Sequence, residues 1–483
     1  MKSRARRLAR HSIDTTGHFQ LMNILVPNNV HRDQPQLSNV DVQLLERLNQ
    51  RDADPDFWSS RQRDRSDSGH RFFQYPAMMV PVVQRRLIKE LIGVQSGVAS
   101  IYDPFMGSGT TLVSGMHFGL SVYGTDINPL AVLISQVRTA KVIDGDVGRK
   151  LEKVVKRASA DGSFVIETDI PNIDKWFKPE VAVELSRLRR AIRSIDASWA
   201  RKFFWVALAE TVRLAGNDRT STYKLHVRPA DEIARRDISP IVMFQSIGEG
   251  NIASLTAFRE ALRDANTVTG QGSYVADSRV RLLDVRGDLK ERWMGKTPFD
   301  LVMTSPPYGD NHTTVTYGQH SYLPLAWIDF EDIDREADQG ALSTTHEIDS
   351  RSLGGRGTLS QQDTDRLFDT SPSLKVFVES LSTASTKARN RLFRFYHDFS
   401  QSISQIAGVL RRDGYMIWTV GNRNVTGRQV PTDEILKEML EGVRCAHVVT
   451  LSRQIHHKRM PTRNATSATM REEKILIVRK SRD

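Results

Sequence analysis

Short apolar runs that end in acidic, glycine-rich or proline-rich turns recur along this chain. Runs of this length, separated by stretches with helical spacing, are typical of the buried strands of a parallel α/β sheet. The predicted strands are residues 100–103, 120–126, 279–284, 299–303, 414–421, 443–452 and 474–479. Ligands of such sheets bind beside the carboxyl ends of the strands, so the turns after these runs are the candidate functional positions.

Two long stretches interrupt the alternation of strand and helix. Residues 141–276 carry apolar positions at helical spacing, for example Leu185, Leu188 and Ile192, and are too long for an ordinary crossover. Residues 311–392 are polar and rich in Ser, Thr, Asp and Gly, which predicts a loop-rich segment. We therefore expect two insertions in one sheet, the first helical and the second polar and loop-rich.

A glycine-rich turn follows the first predicted strand. Its sequence, DPFMGSGTT at residues 103–111, places Gly107 and Gly109 where the chain turns tightly and a ligand can approach the backbone. The free N–H groups of the next helix favour an anionic group such as a carboxylate. The Gly-Lys-Ser/Thr ending of a phosphate-binding loop is absent, which disfavours ATP. Asp126 ends the second strand, where an acid commonly binds a ribose. S-adenosylmethionine fits these features.

The fourth predicted strand ends in a rigid turn, Thr304-Ser305-Pro306-Pro307-Tyr308. Two successive prolines fix two backbone φ angles and remove two N–H donors. The turn then presents a hydroxyl, free carbonyls and an aromatic ring, which can accept the amino protons of a flat nitrogenous ring and stack on its face. Taken alone, the turn could equally well do no more than end the strand.

The charge balance adds a candidate partner. The chain has 483 residues with 68 Lys and Arg against 57 Asp and Glu, a net charge of +11, which favours a polyanion such as nucleic acid. No apolar run approaches the ~20 residues that span a bilayer, so we predict a cytoplasmic protein without a membrane partner. Cys445 is the only cysteine, so no internal disulfide can form. The adjacent His456 and His457 lack the usual spacing of metal ligands, and we predict no metal site.

The glycine-rich turn, the TDINP sequence at residues 125–129 and the TSPPY turn together resemble the exocyclic-amino DNA methyltransferases, which methylate cytosine N4 or adenine N6. Tyr75-Pro76-Ala77 resembles the short motif that precedes the cofactor loop in this family. The resemblance covers residues 72–140 and 277–480. It implies an α/β, Rossmann-like sheet that uses S-adenosylmethionine and acts on specific sites in double-stranded DNA. It also implies a restriction–modification system with a cognate restriction endonuclease as partner.

The resemblance assigns roles to the candidate residues. Catalysis would depend on the proline-rich turn, namely Ser305, Pro306, Pro307 and Tyr308. The cofactor would be held by Tyr75, Pro76, Asp103, Phe105, Gly107, Ser108, Gly109, Thr110, Asp126, Ile127, Asn128 and Asp284. Among these, Asp103 and the glycine turn would hold the methionine end, Asp126 the ribose and Asp284 the adenine amino group.

Several alternatives stay open at this point. Ser305 resembles the cytosine-N4 subgroup, because Asp or Asn usually stands there in adenine-N6 enzymes. Adenine N6, RNA and protein side-chain amides are rival targets, since any planar nitrogen suits the turn. A catalytically idle DNA-binding protein is the non-enzymatic alternative. The cofactor loop precedes the proline-rich turn, which is the reverse of the common order among such enzymes, so residues 141–276 and 311–392 are both candidates for target recognition.

These features divide the chain into six predicted segments. They are a basic, weakly ordered segment (residues 1–70), the cofactor-binding half of the methyltransferase domain (71–140), the helical insertion (141–276), the catalytic strands (277–310), the polar insertion (311–392) and the C-terminal part of the sheet (393–483).

Overall fold

The computed structural model describes residues 37–52, 54, 57–59, 72–142, 145–293, 298–381, 386–455 and 472–482. Most of the predicted N-terminal segment lies outside these residues, as do His456 and His457.

The described strands follow the predicted runs closely. They are β1 (Ser100–Asp103), β2 (Ser121–Asp126), β3 (Ser278–Leu282), β4 (Phe299–Thr304), β5 (Leu410–Val420), β6 (Asn424–Val425), β7 (Arg428–Gln429), β8 (Cys445–Gln454) and β9 (Glu472–Lys480). Within the described chain, seven of them form one sheet in the order β3-β2-β1-β4-β5-β9-β8, and β6 and β7 form a separate hairpin. The first five strands pair in parallel, and β9 runs antiparallel to both β5 and β8. This sheet confirms the predicted α/β, Rossmann-like fold.

The described helices are α1 (Asn39–Asp52), α2 (Pro81–Ile92), α3 (Thr110–Met116), α4 (Pro129–Arg138), α5 (Val147–Ala160), α6 (Ile173–Trp176), α7 (Pro179–Arg193), α8 (Ser198–Ala215), α9 (Ala230–Arg235), α10 (Pro240–Asp264), α11 (Leu289–Arg292), α12 (Tyr317–Leu325), α13 (Glu347–Arg351), α14 (Gln361–Thr370), α15 (Pro372–Ser380), α16 (Thr386–Val409) and α17 (Thr432–Gly442). Five of them begin with proline, whose fixed φ suits the first helical position and whose missing N–H would have no partner there: Pro81, Pro129, Pro179, Pro240 and Pro372. Among the described helices, none combines the length and apolar character that a bilayer crossing requires.

Two hydrophobic cores cover the two faces of the sheet. Successive strand residues alternate between them, so that Ile417 packs in one core and Met416 and Trp418 pack in the other. This alternation follows from the period of two residues along a strand. The first core also contains side chains of α2–α8 and α10, and the second contains side chains of α14–α17. The helices of residues 141–276 therefore share a core with the sheet.

The polar segment at residues 311–392 is more helical than its composition predicts. It contains α12–α15 and two short 3-10 helices, Phe330–Asp332 and Gln339–Leu342. Local capping explains part of the difference, because Ser360 and Asp363 form a reciprocal capping box at the start of α14. Only Leu367 of α14 is buried, so this helix leaves almost no apolar periodicity in the sequence.

A buried ion pair attaches α1 to β9, the strand between β5 and the edge strand β8. Arg479 Nε on β9 donates to both carboxylate oxygens of Asp41, at 3.0 and 2.9 Å. The hydroxyl of Tyr415 on β5 donates to the same carboxylate at 2.6 Å. Asp41 is fully buried, and its carboxylate is held by these two partners and by the backbone N–H of Ser38, which donates to Oδ2 at 2.7 Å.

We expect Asp41→Ala to lower the free energy of unfolding by about 3–5 kcal/mol, because it leaves the Arg479 guanidinium buried without its main partner. Urea denaturation of the full chain measures this change. Arg482→Ala is the control, since Arg482 pairs with Asp413 at the surface with 79% of its side chain exposed, and we expect a loss below about 1 kcal/mol. Equal losses in the two variants would contradict the assigned role of Asp41.

Candidate active site

The carboxyl ends of β1–β4 meet at one edge of the sheet, beside a cavity of about 870 Å³ when the solvent space at its mouth is included. Most of the predicted site residues line this cavity: Tyr75, Pro76, Phe105, Gly107, Ser108, Thr110, Asp126, Ile127, Asn128, Asp284, Ser305 and Pro307. Asp103, Gly109, Pro306 and Tyr308 are set back from it. Residues from the glycine-rich turn and from the proline-rich turn thus border the same space.

The glycine-rich turn requires glycine for two physical reasons. Gly107 and Gly109 have φ angles of 49° and 77°, in the left-handed region that side chains disfavour. A Cβ atom at Gly109 would also lie 2.8 Å from Ser135 Oγ, which itself donates to the carbonyl of Gly107 at 2.9 Å. Ser135 on α4 therefore holds the turn in place, and the backbone of the turn borders the cavity.

Asp126 ties the end of β2 to the glycine-rich turn. Its carboxylate accepts the backbone N–H of Gly107 at 2.9 Å and that of Asn128 at 2.8 Å. Each oxygen accepts one of these bonds, so lone pairs remain for a ligand hydroxyl. Burial raises the pKa of Asp126 to about 6, although the two N–H groups act in the opposite direction.

Asp103 lies behind the cavity wall and joins β1 to β4. Its Oδ1 accepts the hydroxyl of Thr304 at 2.6 Å and the backbone N–H of Phe105 at 3.1 Å. Burial raises the pKa of Asp103 to about 6, although the hydroxyls of Thr111 and Thr304 and the backbone N–H of Phe105 act in the opposite direction. Within the described part of the chain, the buried hydroxyl of Ser108, which lines the cavity, has no hydrogen-bond partner. This hydroxyl, with a carboxylate close behind it, suits a ligand that carries both a carboxylate and an ammonium group.

Tyr75 closes one side of the cavity. Asn128 Nδ2 donates to its hydroxyl at 3.0 Å and to Ser321 Oγ on α12 at 2.8 Å, while Asn128 Oδ1 caps α4. The ring of Tyr75 stacks on Tyr317 with centroids 5.8 Å apart. Asn128 therefore fixes the orientation of an aromatic wall rather than facing a ligand with a free amide.

Asp284 lies just beyond β3, which ends at Leu282. Its carboxylate accepts hydrogen bonds from Arg286, with Nε at 3.0 Å from each oxygen. The same guanidinium donates to Asp398 on α16 at 2.9 Å and to the carbonyl of Arg351 on α13 at 2.8 Å. Arg286 consequently holds the segment 311–392 against the cavity beside Asp284.

The proline-rich turn carries a short chain of hydroxyl groups. Ser305 Oγ lies 3.2 Å from the hydroxyl of Tyr308, and Tyr308 donates to Glu473 Oε1 on β9 at 3.1 Å. Burial and the nearby Glu473 raise the pKa of Tyr308 well above its ordinary value, so the phenol keeps its proton. Ser305 and Pro307 face the cavity, while the Tyr308 ring packs against the second core.

Several residues that line the cavity are not predicted from the sequence. Met78 and Met79 directly follow Tyr75-Pro76-Ala77, and this position is the signal that could have indicated them. Others come from the segment 311–392, where no motif marks them: Tyr317, Ile348, Arg351, Ser352 and Leu353. The polar segment therefore builds part of the cavity wall.

A Rossmann-like sheet whose carboxyl edge joins a glycine-rich turn and a Ser-Pro-Pro-Tyr turn around one cavity defines an S-adenosylmethionine-dependent methyltransferase. Comparison with known proteins identifies the family. The chain is 30% identical to the Type II methyltransferase M.MvaI of Kocuria varians over 461 residues, which are 92% of this chain and 98% of that protein. It therefore belongs to the Type II DNA methyltransferases.

Other comparisons add less. The chain is 31% identical to the Type II methyltransferase M.MjaII of Methanocaldococcus jannaschii over 136 residues, 26% of this chain and 24% of that protein. No family model matches the chain. The rRNA methyltransferase AviRa of Streptomyces viridochromogenes aligns over 84% of this chain and 86% of its own, with a TM-score of 0.29 and 11% identity. A TM-score this low supports no conclusion.

We expect Gly109→Ala to weaken S-adenosylmethionine binding by at least about tenfold, because a left-handed non-glycine residue costs about 1–3 kcal/mol and its methyl group would press on Ser135. Calorimetric titration of the folded variant measures the affinity. Gly97→Ala is the matched control, since Gly97 has φ +87° but open space around its Cβ position. An unchanged affinity in Gly109→Ala would show that the turn does not shape the cofactor site.

Proposed function

We propose that this protein transfers a methyl group from S-adenosylmethionine to the N4 amino group of a cytosine flipped out of double-stranded DNA. The observation that carries the proposal is the shared cavity, in which Ser305 and Pro307 face the glycine-rich turn across one space. A methyl donor held by that turn would meet an amino group held by Ser305.

The chemical problem is the weak nucleophilicity of an exocyclic amino group, whose lone pair is delocalised into the ring. In our proposal Ser305 Oγ and the Pro306 carbonyl accept the two amino protons and concentrate the lone pair on nitrogen. Pro307 lines the cavity and keeps the turn rigid, while Tyr308, whose ring is set back from the cavity, positions Ser305 through its hydroxyl rather than stacking on the base. Direct displacement then depends on alignment and electrostatics, without a covalent enzyme intermediate.

We assign the cofactor roles as the family resemblance implies them. Asp103, Ser108 and the Gly107–Gly109 loop hold the methionine end, and Asp126 accepts the ribose hydroxyls. When bound, S-adenosylmethionine supplies a methyl group activated by its sulfonium. Asp284 faces the adenine end, where its bonds to Arg286 fix the carboxylate in place. The walls of this end are assigned to Tyr75, Pro76, Phe105, Thr110, Ile127 and Asn128.

The choice of cytosine rests on Ser305. A serine offers one short hydroxyl where the resemblance places Asp or Asn in adenine-N6 enzymes. Double-stranded DNA as substrate is supported by the net charge of +11 and by the family of the chain. The target base has to leave the helix to reach the turn. We place the enzyme in the cytoplasm as the modification half of a restriction–modification system, with a cognate endonuclease.

We assign target recognition to the segment 311–392. It supplies Ile348, Arg351 and Ser352 to the cavity that Ser305 faces, whereas residues 141–276 supply none of the described cavity lining. A segment already beside the base pocket is well placed to read the bases that flank the target.

We expect DNA from cells that express this protein to carry N4-methylcytosine at one recurring sequence. Sequencing that separates N4-methylcytosine from N6-methyladenine tests base, site and activity together. N6-methyladenine at a recurring site would overturn cytosine as the target base, but it would still support methyl transfer to an amino group of DNA. Unmodified DNA, with a folded and cofactor-bound protein, would move the substrate to RNA or a protein amide.

The matched variants are Ser305→Ala and Tyr308→Ala. We expect both to abolish the modification and to bind S-adenosylmethionine as the unmodified chain does, because neither side chain is assigned to the cofactor. Unchanged methylation by both variants would remove the turn from the mechanism.

Affinity for S-adenosylmethionine should fall as the pH drops through about 6. Burial raises the pKa of both Asp103 and Asp126 to about 6, so both carboxylates are charged above this pH and gain protons below it. Below this pH, each of the two carboxyl groups can lower the affinity for S-adenosylmethionine by up to about tenfold for every pH unit. Calorimetric titrations at constant ionic strength measure the profile.

Asp103→Asn is the control for the pH profile. We expect weaker binding at neutral pH and a shallower loss of affinity in acid, because one of the two titrating groups is gone. An unaltered slope in Asp103→Asn would mean that Asp103 does not contribute to the pH dependence.

A further inference from the structure

Glu473 lies at the same edge of the sheet as the proline-rich turn. It stands at the start of β9, which runs antiparallel to β5 with Lys474 opposite Val420 at the carboxyl end of β5. Its Oε1 accepts the hydroxyl of Tyr308 at 3.1 Å, and its Oε2 is held by Arg453 on β8. The side chains of Glu473 and Arg453 are 17% and 11% exposed, so the pair is largely shielded from water.

The charge on Glu473 determines the direction of the hydrogen bonds in the turn. A carboxylate paired with Arg453 has no proton to donate, so Tyr308 has to donate its single proton to Oε1. Ser305 Oγ lies 3.2 Å from the same phenol oxygen. Because the phenol proton is already used, the Ser305 hydroxyl donates to Tyr308. Only the lone pairs of Ser305 are then left for a group in the cavity.

We propose that Glu473 is a positioning residue that makes Ser305 a hydrogen-bond acceptor for the amino group of the target base. The proposal rests on the function proposed above, in which Ser305 accepts an amino proton. The full chain of donors runs from the base amino group to Ser305, from Ser305 to Tyr308 and from Tyr308 to Glu473. Without a carboxylate at its end this chain can reverse, and the Ser305 proton then points at the amino group.

Glu473→Gln tests the direction of the chain with little change in side-chain volume. Its amide can donate to Tyr308 and reverse both hydroxyl groups. We expect kcat to fall by roughly 10- to 100-fold, the effect of one misdirected polar contact in a shielded site. The dissociation constant for S-adenosylmethionine should stay within about twofold, because a tenfold change would need about 1.4 kcal/mol of lost contacts with the cofactor.

A double-mutant cycle separates this role from simple structural support. In a Tyr308→Phe background the link to Ser305 is already broken, so Glu473→Gln should lower kcat by no more than about twofold further. The ion pair with Arg453 is lost equally in both backgrounds. Equal effects of Glu473→Gln in the two backgrounds would therefore overturn the proposal and leave Glu473 with a structural role.

Glu472→Gln is the matched control, since Glu472 is the neighbouring acid on β9 and pairs with Lys474 at 3.2 Å. We expect it to leave kcat unchanged. If Glu473→Gln does not fold, Tyr308→Phe alone still tests the chain, because it keeps the ring, frees the Ser305 proton and should lower kcat. Full activity of Tyr308→Phe would contradict the proposal.

The proposed function of the turn and the proposed role of Glu473 can be tested separately. Full activity of Ser305→Ala would overturn the proposed function of the turn, whatever Glu473 does. Loss of activity in Ser305→Ala together with full activity in Glu473→Gln would overturn the role of Glu473 alone.

Discussion

A buried side-chain hydrogen bond links the two halves of the site. Thr304 Oγ1, at the end of β4, donates to Asp103 Oδ1, at the end of β1, over 2.6 Å, and both residues are fully buried. The two strands are neighbours in the sheet, although their motifs lie far apart in the chain. Charged hydrogen bonds are strong where water is excluded. This bond therefore fixes the position of the Ser305 turn, at the end of β4, relative to the glycine-rich turn, at the end of β1.

The sequence predicts the elements whose local chemistry is strong. β1 and β2 are short apolar runs that end in Asp103 and Asp126, as predicted, and β4 extends one residue beyond the predicted 299–303, to Thr304. The ends of a strand are harder to predict where its residues do not form an apolar pattern. β5 begins at Leu410 rather than 414, because Leu410 pairs with Phe299 ahead of an irregularity in the ladder, and the residues between are mostly polar and show no strand pattern.

The parts of the site that escape prediction depend on contacts between distant residues. Glu473 meets Tyr308 across 165 positions, and Arg286 meets Asp398 across 112. Neither pair has a spacing or a motif that marks it in one sequence. The wall built by Ile348 and Leu353 is not predicted either, because α13 is only five residues long and too short to show a periodic pattern.

Topology explains why the segment 311–392 lines the cavity and the segment 141–276 does not. The segment 141–276 begins after α4, and a helix that follows a parallel strand carries the chain back toward the amino edge of the sheet. The segment 311–392 instead leaves directly from the turn after β4 and returns to β5 through α16. It starts at the carboxyl edge, where Arg286 ties it to α16 and to the end of β3. The chain path thus makes this segment, and not the longer helical one, the neighbour of Ser305.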